Sequence, residues 1–158
     1  MTTEMLENET IVVRNLTPAD FDVVVAIDQK SIGRRREEFY KMKLRQALAE
    51  TGIWVSLAAE IDRAFVGFLL ARVFYGEFGQ TERVAVLDAL GVHPDFRHRR
   101  VGAALMAQLR RNLLGLRIRT LQTEVSWDSP ELMGFFHAEG FVPAPRFVLN
   151  LDLEGTRE

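Results

Sequence analysis

Arg97, His98, Arg99 and Arg100 form one basic run, and Val101, Gly102 and Ala103 then begin an apolar, helix-patterned stretch that continues to Leu116. Before them lies a β-leaning run, residues 84–92, joined to the arginines by the turn His93-Pro94-Asp95-Phe96. Strand, basic turn and helix in that order make a site for an anionic group. The first turn of a helix leaves backbone N–H groups unpaired and carries partial positive charge. Asp88 is the one acid inside the otherwise apolar strand. It is a candidate proton acceptor, or else it orders a backbone or pairs with an arginine such as Arg72 or Arg119.

The frame around these residues is modest. A chain of 158 residues with 47% hydrophobic residues is expected to fold as a single domain, residues 1–158, with residues 1–9 disordered. A net charge of −2 gives no global attraction to nucleic acid or to anionic membranes, so phosphate recognition must come from a local cluster. With no cysteine there is no disulfide framework or thiolate metal site, which suits a cytoplasmic location, and the three histidines are scattered, so no metal is expected. The N-terminus lacks an apolar leader, and no run of about 18 apolar residues would span a membrane.

The elements that must position the site follow in order. Residues 10–16 read as a first strand. Thr17 as cap and Pro18 at the first helical position open a helix with Phe21, Val24, Val25 and Ile27 on its buried face. Arg34, Arg35 and Arg36 could touch an acceptor, or else read as a solvated loop and helix start paired with Glu37 and Glu38, before a second helix over residues 37–50 with Tyr40, Leu44, Ala47 and Leu48 at helical spacing. Residues 53–60 and 65–75 form an antiparallel hairpin, and the turn 76–82 leads into the strand at 84–92. Beyond the helix that begins at Val101, residues 117–127 give a fifth strand, parallel to the fourth because a helix connects them. Ser129 caps and Pro130 opens a last helix ending at Gly140, and residues 147–153 alternate as a terminal strand.

This order resembles the GNAT acyltransferase superfamily over nearly the whole chain. Two motifs carry the resemblance: Arg97-His98-Arg99-Arg100-Val101-Gly102 matches the family's phosphate-binding pattern, Arg/Gln-x-x-Gly-x-Gly/Ala, and Phe135-Phe136 stands before Gly140-Phe141 as its aromatic pair does. The resemblance implies an α/β (α+β) GNAT fold: a mixed six- or seven-stranded sheet, its parallel fourth and fifth strands splayed, flanked by four helices. It also implies acetyl-CoA as acyl donor. Residues 97–103 would cradle the pyrophosphate, the backbone of Leu90, Gly91 and Val92 would hold the pantetheine arm, and Ser129 and Phe136 would touch the cofactor. Three positions depart from the family pattern. Arg100 replaces the first motif glycine, which a helix-start conformation without positive φ would tolerate. Phe136 replaces a tyrosine proposed as the acid for the leaving thiolate, and Ser129 replaces an asparagine.

Transfer of an acyl group from a thioester to an amine by direct attack requires loss of the ammonium proton, stabilisation of an oxyanion and departure of a thiolate. A thiol titrates at about 8.5 and an alkyl ammonium at about 10.4, so deprotonation is the more pressing task. Family resemblance places a base at Asp88, four residues before Val92, acting directly or through water. Glu124, in Thr123-Glu124-Val125, is the second candidate, with a structural ion pair as its alternative. Leu90 and Val92 N–H groups would stabilise the oxyanion. His137 stands about 100° round the helix from Phe136 and reads as a surface residue. His93 and His98 flank the phosphate turn, helping to hold it or facing solvent. Trp54, Phe74, Tyr75 and Trp127 are candidates for an acceptor pocket or for core.

The expected activity is therefore N-acetyl transfer to a small amine, a peptide N-terminus or a lysine. The alternative is a non-catalytic acyl-CoA-binding module. No nucleic-acid or membrane partner is expected. The short link at residues 142–146 implies an open acceptor groove, or one completed by a second copy in a homodimer.

Overall fold

The computed structural model describes residues 10–49, 55–75 and 81–155, and of residues 46–49 only the backbone. The expectations for residues 1–9, Trp54, the packing of Ala47 and Leu48, and most of the turn at 76–82 lie outside the described residues. The chain divides into two compact units, Met1–Glu124 and Val125–Glu158.

The first unit is built on one sheet of five strands in chain order: β1 (Ile11–Asn15), β2 (Leu57–Ile61), β3 (Ala64–Tyr75), β4 (Arg83–Val92) and β5 (Leu121–Thr123). Neighbours are antiparallel except β4 and β5, which are parallel. The helices are α1 (Phe21–Ile32), α2 (Glu37–Ala49) and α3 (Val101–Gly115). Phe68 and Leu70 of β3 pack with Val24, Val25 and Ile27 of α1 and Tyr40 of α2 in one buried cluster. A Cβ at Gly67, the adjacent residue, would point instead at Val101 and Leu105 of α3. Because successive strand residues face opposite sides, α1 and α2 cover one face of the sheet and α3 the other.

Several local expectations need correction. Thr17 and Pro18 open a short 3₁₀ turn, Pro18–Asp20, and the α-helix begins only at Phe21. The hairpin between β2 and β3 closes through Asp62 and Arg63, both at positive φ (49° and 68°), the backbone that a two-residue hairpin turn demands even without glycine. Arg36 is no solvated loop residue. Its guanidinium pairs with Asp28, which is 5% exposed, and Tyr40 donates its hydroxyl proton to the same carboxylate at 2.9 Å. Burial, then the Asp28 charge, pushes the Tyr40 phenol up. Arg35 does pair with Glu37, as the charge pattern suggests.

The fifth strand is only three residues long, against the eleven expected, and the expected terminal strand at 147–153 is not formed. The sheet among the described residues therefore has five strands, not six or seven. In the second unit α4 (Pro130–Ala138) starts after Ser129 with Pro130 in its first turn, but Ser129 makes no side-chain cap bond. The chain leaves it through Gly140, at φ +97°. Phe136 is buried, its ring 5.4 Å from that of Phe135 and 4.9 Å from that of Phe141. Phe147, Leu149, Leu151 and Leu153 are 82–92% exposed: the alternation is real, but a strand is defined by a ladder and this segment has none.

One ion pair at the start of the first unit sets a testable acid response. Arg14 donates to both oxygens of Asp20, at 2.8 and 2.9 Å, and to Glu60 at 2.9 Å. The Arg14 guanidinium is the main reason the Asp20 carboxyl sits at about 2, below its ordinary 3.8. A folded-state value below the unfolded one adds stability that is complete above the ordinary carboxylate range and fades as pH falls toward 2. Asp20→Asn should cost about 1 kcal/mol at neutral pH, the pair being partly screened by solvent, and the difference from wild type should close at about pH 2. Denaturant unfolding across that pH range measures it.

Candidate active site

The site is made by one extra residue in β4. The β3–β4 register runs Ala71↔Leu87 and then Leu70↔Ala89, so Asp88 has no opposite number and forms a β-bulge. Backbone hydrogen bonds on either side show the effect. Ala85 N–H donates to Thr120 O at 3.0 Å, on the β5 side, whereas His93 N–H donates to Val66 O at 2.8 Å, on the β3 side. Eight residues apart, both would face one edge of a regular strand. The bulge reverses the phase, so beyond it Leu90 and Val92, not Ala89 and Gly91, turn their amides to the β5 edge. Among the described residues no strand pairs with that edge there: the β4–β5 ladder ends at Leu87↔Thr123, where Thr123 Oγ1 donates to Leu87 O at 3.0 Å. The fourth and fifth strands part where the resemblance requires it.

The bulge also turns Asp88 and Ala89 to the same side. Ala89 packs on the cluster formed by α1 and α2, and Asp88 meets Lys43 of α2. Asp88 is 9% exposed and holds two cations: Arg72 Nε donates to Oδ2 at 2.8 Å, and Lys43 Nζ lies 3.6 Å from Oδ1. Arg72, not Arg119, is the arginine partner, and its guanidinium also lies over the Phe74 ring at 4.6 Å. Lys43 is the residue that sequence reasoning missed. The available signal was its spacing, four residues after Phe39 and three after Tyr40, which sets it on the packed face of α2, with Nζ 5.8 Å from the Phe39 ring centre.

Two glycines let backbones and rings close on the site. A Cβ on Gly91 would stand 2.5 Å from the Phe68 ring, so glycine lets that ring lie across β4. A Cβ on Gly67 would stand 2.8 Å from Val101, so glycine seats the first residue of α3 against β3. That contact fixes where the helix N-terminus points.

Between β4 and α3 the chain makes the 3₁₀ turn Pro94–Phe96, capped by His93, whose Nδ1 accepts from Asp95 N–H at 3.1 Å. His93 thus holds the turn. Arg97, His98, Arg99 and Arg100 are exposed, with Arg99 stacked over the Phe96 ring at 5.1 Å; Val101 is buried, Gly102 half-buried and Ala103 exposed. His98 and Arg100 both have φ of +64°, so Arg100, the N-cap of α3, adopts the glycine-like conformation after all. The expectation that this position needs no positive φ is overturned: the turn must lift the chain onto α3, and a left-handed residue does so.

Glu124 follows directly on β5, is exposed, and forms no ion pair among the described residues. Ser129 and Phe136 belong to the second unit. Tyr75 and Trp127 are 72% and 92% exposed, so neither is core. His137 is exposed, as its helical position suggests. No cluster of three metal-binding side chains occurs among the described residues, and no helix there is long and apolar enough to cross a membrane.

Known proteins share this fold. The sequence profile described as "Acetyltransferase (GNAT) family" covers residues 21–141. The chain belongs to that family, and is by class an acyltransferase. No curated protein sequence matches it. Among solved structures, aminoglycoside N-acetyltransferase AAC(6')-Iy in complex with CoA superposes with a TM-score of 0.76 at 17% identity, covering 92% of this chain and 97% of its own. AAC(6')-Ih from Acinetobacter baumannii gives 0.75 at 17% identity, covering 92% and 100%. The ribosomal-protein-alanine N-acetyltransferase of Brucella melitensis gives 0.70 at 19% identity, covering 91% and 99%. At these identities the likeness is one of fold.

Positive φ at Arg100 yields a test. A left-handed backbone costs an L-residue about 1–2 kcal/mol, and the extra unfolded-state freedom of glycine offsets roughly half of the gain from replacing it. Arg100→Gly should raise the melting temperature by about 1–3 °C, whereas the β-branched Arg100→Val should lower it. Thermal unfolding of the two variants beside wild type decides this.

Proposed function

We propose that this protein transfers an acetyl group from acetyl-CoA to the primary amine of an acceptor: a small amine, a peptide N-terminus or a lysine. The observation that carries the reading is the placement of two free-facing amides, Leu90 and Val92, on the strand edge that β5 vacates. They follow a near-buried carboxylate and precede a basic helix N-terminus.

Each part fits one piece of the donor. The amides around Arg97, His98, Arg99, Arg100, Val101, Gly102 and Ala103, with the basic side chains beside them, would hold a pyrophosphate. The edge formed by Leu90, Gly91 and Val92 would take an extended amide-bearing arm as an added strand, and the Leu90 and Val92 N–H groups would donate to the oxyanion. Acetyl-CoA supplies the activated acyl group. Asp88 takes the amine proton, directly or through water, on the face lined by α1 and α2, and Glu124 at the end of β5 is the second candidate base. With phenylalanine at position 136, this chain offers no tyrosine there for the leaving thiolate. A thiolate is a good enough leaving group to depart without one.

Acetyl-CoA should raise the melting temperature of the wild type, and Gly102→Trp should abolish the shift by filling the helix N-terminus. Asp88→Asn should keep the shift while turnover, followed as thiol release across a panel of amines and peptides, falls by about 10²–10⁴. A wild type that acetyl-CoA does not stabilise would sink the donor assignment. A shift without thiol release for any amine would identify a binding module instead.

A further inference from the structure

We infer that Lys43 is itself an acyl acceptor: bound acetyl-CoA acetylates its Nζ, with Asp88 taking the proton. This rests on the acetyltransferase reading above and adds a modification site to it.

The two oxygens of Asp88 are in different situations. Oδ2 accepts from Arg72 Nε at 2.8 Å, and an arginine does not give up its proton. Oδ1 faces the Lys43 ammonium at 3.6 Å. Among the described residues, the ion-pair partner of this carboxylate that can give up a proton is therefore a primary amine, the functional group the proposed reaction consumes. Lys43 stands in the seat of an acceptor. Its side chain is 14% exposed, whereas Lys41, two residues away, is 48% exposed and pairs with Glu38 at 3.7 Å. Among the described residues Asp88 is the one carboxylate within ion-pair distance of Lys43.

The reach is short. Leu90, whose amide faces the open edge, stands two residues beyond Asp88, about 7 Å along an extended strand. Rotation about the flexible four-carbon stem of lysine carries Nζ from Asp88 Oδ1 toward that edge. Of the two protons the ammonium loses, one passes to Asp88 Oδ1 and the other to the departing thiolate. The nitrogen lone pair forms the N–C bond at the thioester carbon, the C–S bond breaks, and CoA leaves as the thiol. The product, Nε-acetyl-Lys43, carries no charge, so Asp88 keeps Arg72 as its one cationic partner and the acceptor seat holds an amide.

The test is direct because the chain's lysines are Lys30, Lys41 and Lys43. The full-length protein is incubated with acetyl-CoA and no added amine, then followed by intact mass and peptide mapping. The expected result is one acetyl group per chain, on Lys43, formed at a rate independent of protein concentration. Lys43→Arg should abolish it, and Asp88→Asn should slow it by about tenfold or more. Lys43 left unmodified by a protein that acetyl-CoA stabilises and that releases thiol with added amines would overturn this inference alone. So would acetylation of Lys30 and Lys41 as fast as Lys43. Absence of any thermal shift by acetyl-CoA would overturn the acetyltransferase reading along with it.

Discussion

Everything at the candidate site depends on the unpaired residue in β4. A regular strand would turn Leu90 and Val92 to β3, where their amides would be spent in the ladder, and would leave the edge beside β5 with the wrong phase. One inserted residue changes the phase of everything beyond it. It moves two amides to the vacated edge and turns Ala89 to the helix face, which Asp88, two residues after Val86, shares with Arg72. Without it the Leu90 and Val92 amides would be spent in the β3 ladder.

The bulge would be idle if the neighbouring strand continued. β5 pairs over three residues and stops at Thr123, whose hydroxyl caps Leu87 O, the last β4 carbonyl before the bulge. Past that point, among the described residues, β4 has an unpaired edge that leads on to the N-terminus of α3. A free edge is ordinarily a liability, open to any extended chain. Here the adjoining turn selects what approaches, because four basic side chains and the first amides of α3 favour an anion at one end of the edge. Gly67 keeps the two parts in register by letting Val101 sit against β3.

The sequence revealed the element order well, because amphipathic helices and β-branched runs are local signals. The motif at residues 97–102 located the basic turn that opens α3, and the lone acid Asp88 was conspicuous. What it hid were features set by partners. The bulge depends on the pairing of β4 with β3, and nothing in residues 84–92 alone marks which one will be unpaired. Arg100 shows the limit of a motif: a glycine was replaced, yet the backbone kept the glycine's conformation, because docking of α3 fixes φ more strongly than side-chain preference does. Arg36 and Lys43 look like ordinary surface charges until Asp28, on the preceding helix, and Asp88, far away in sequence, are brought beside them. The overestimate of strands came from reading alternation at residues 147–153 as pairing, when alternation records only which residues would share a face.

The electrostatics of Asp88 limit what an acceptor must do. A carboxylate that is 9% exposed is costly to leave without a counter-charge, and Arg72 supplies a permanent one through Oδ2. With that pair in place, the proposed reaction would use Oδ1 to exchange one amine for another. Lys43 occupies that oxygen at 3.6 Å. On the proposed reading an external ammonium would displace it, and the exchange would be nearly neutral in charge, one cation leaving as another enters. The discrimination therefore cannot come from the carboxylate, which sees the same group either way. It must come from what surrounds the rest of the acceptor, on the α1 and α2 face, where Phe39 and Phe74 already flank the two resident cations.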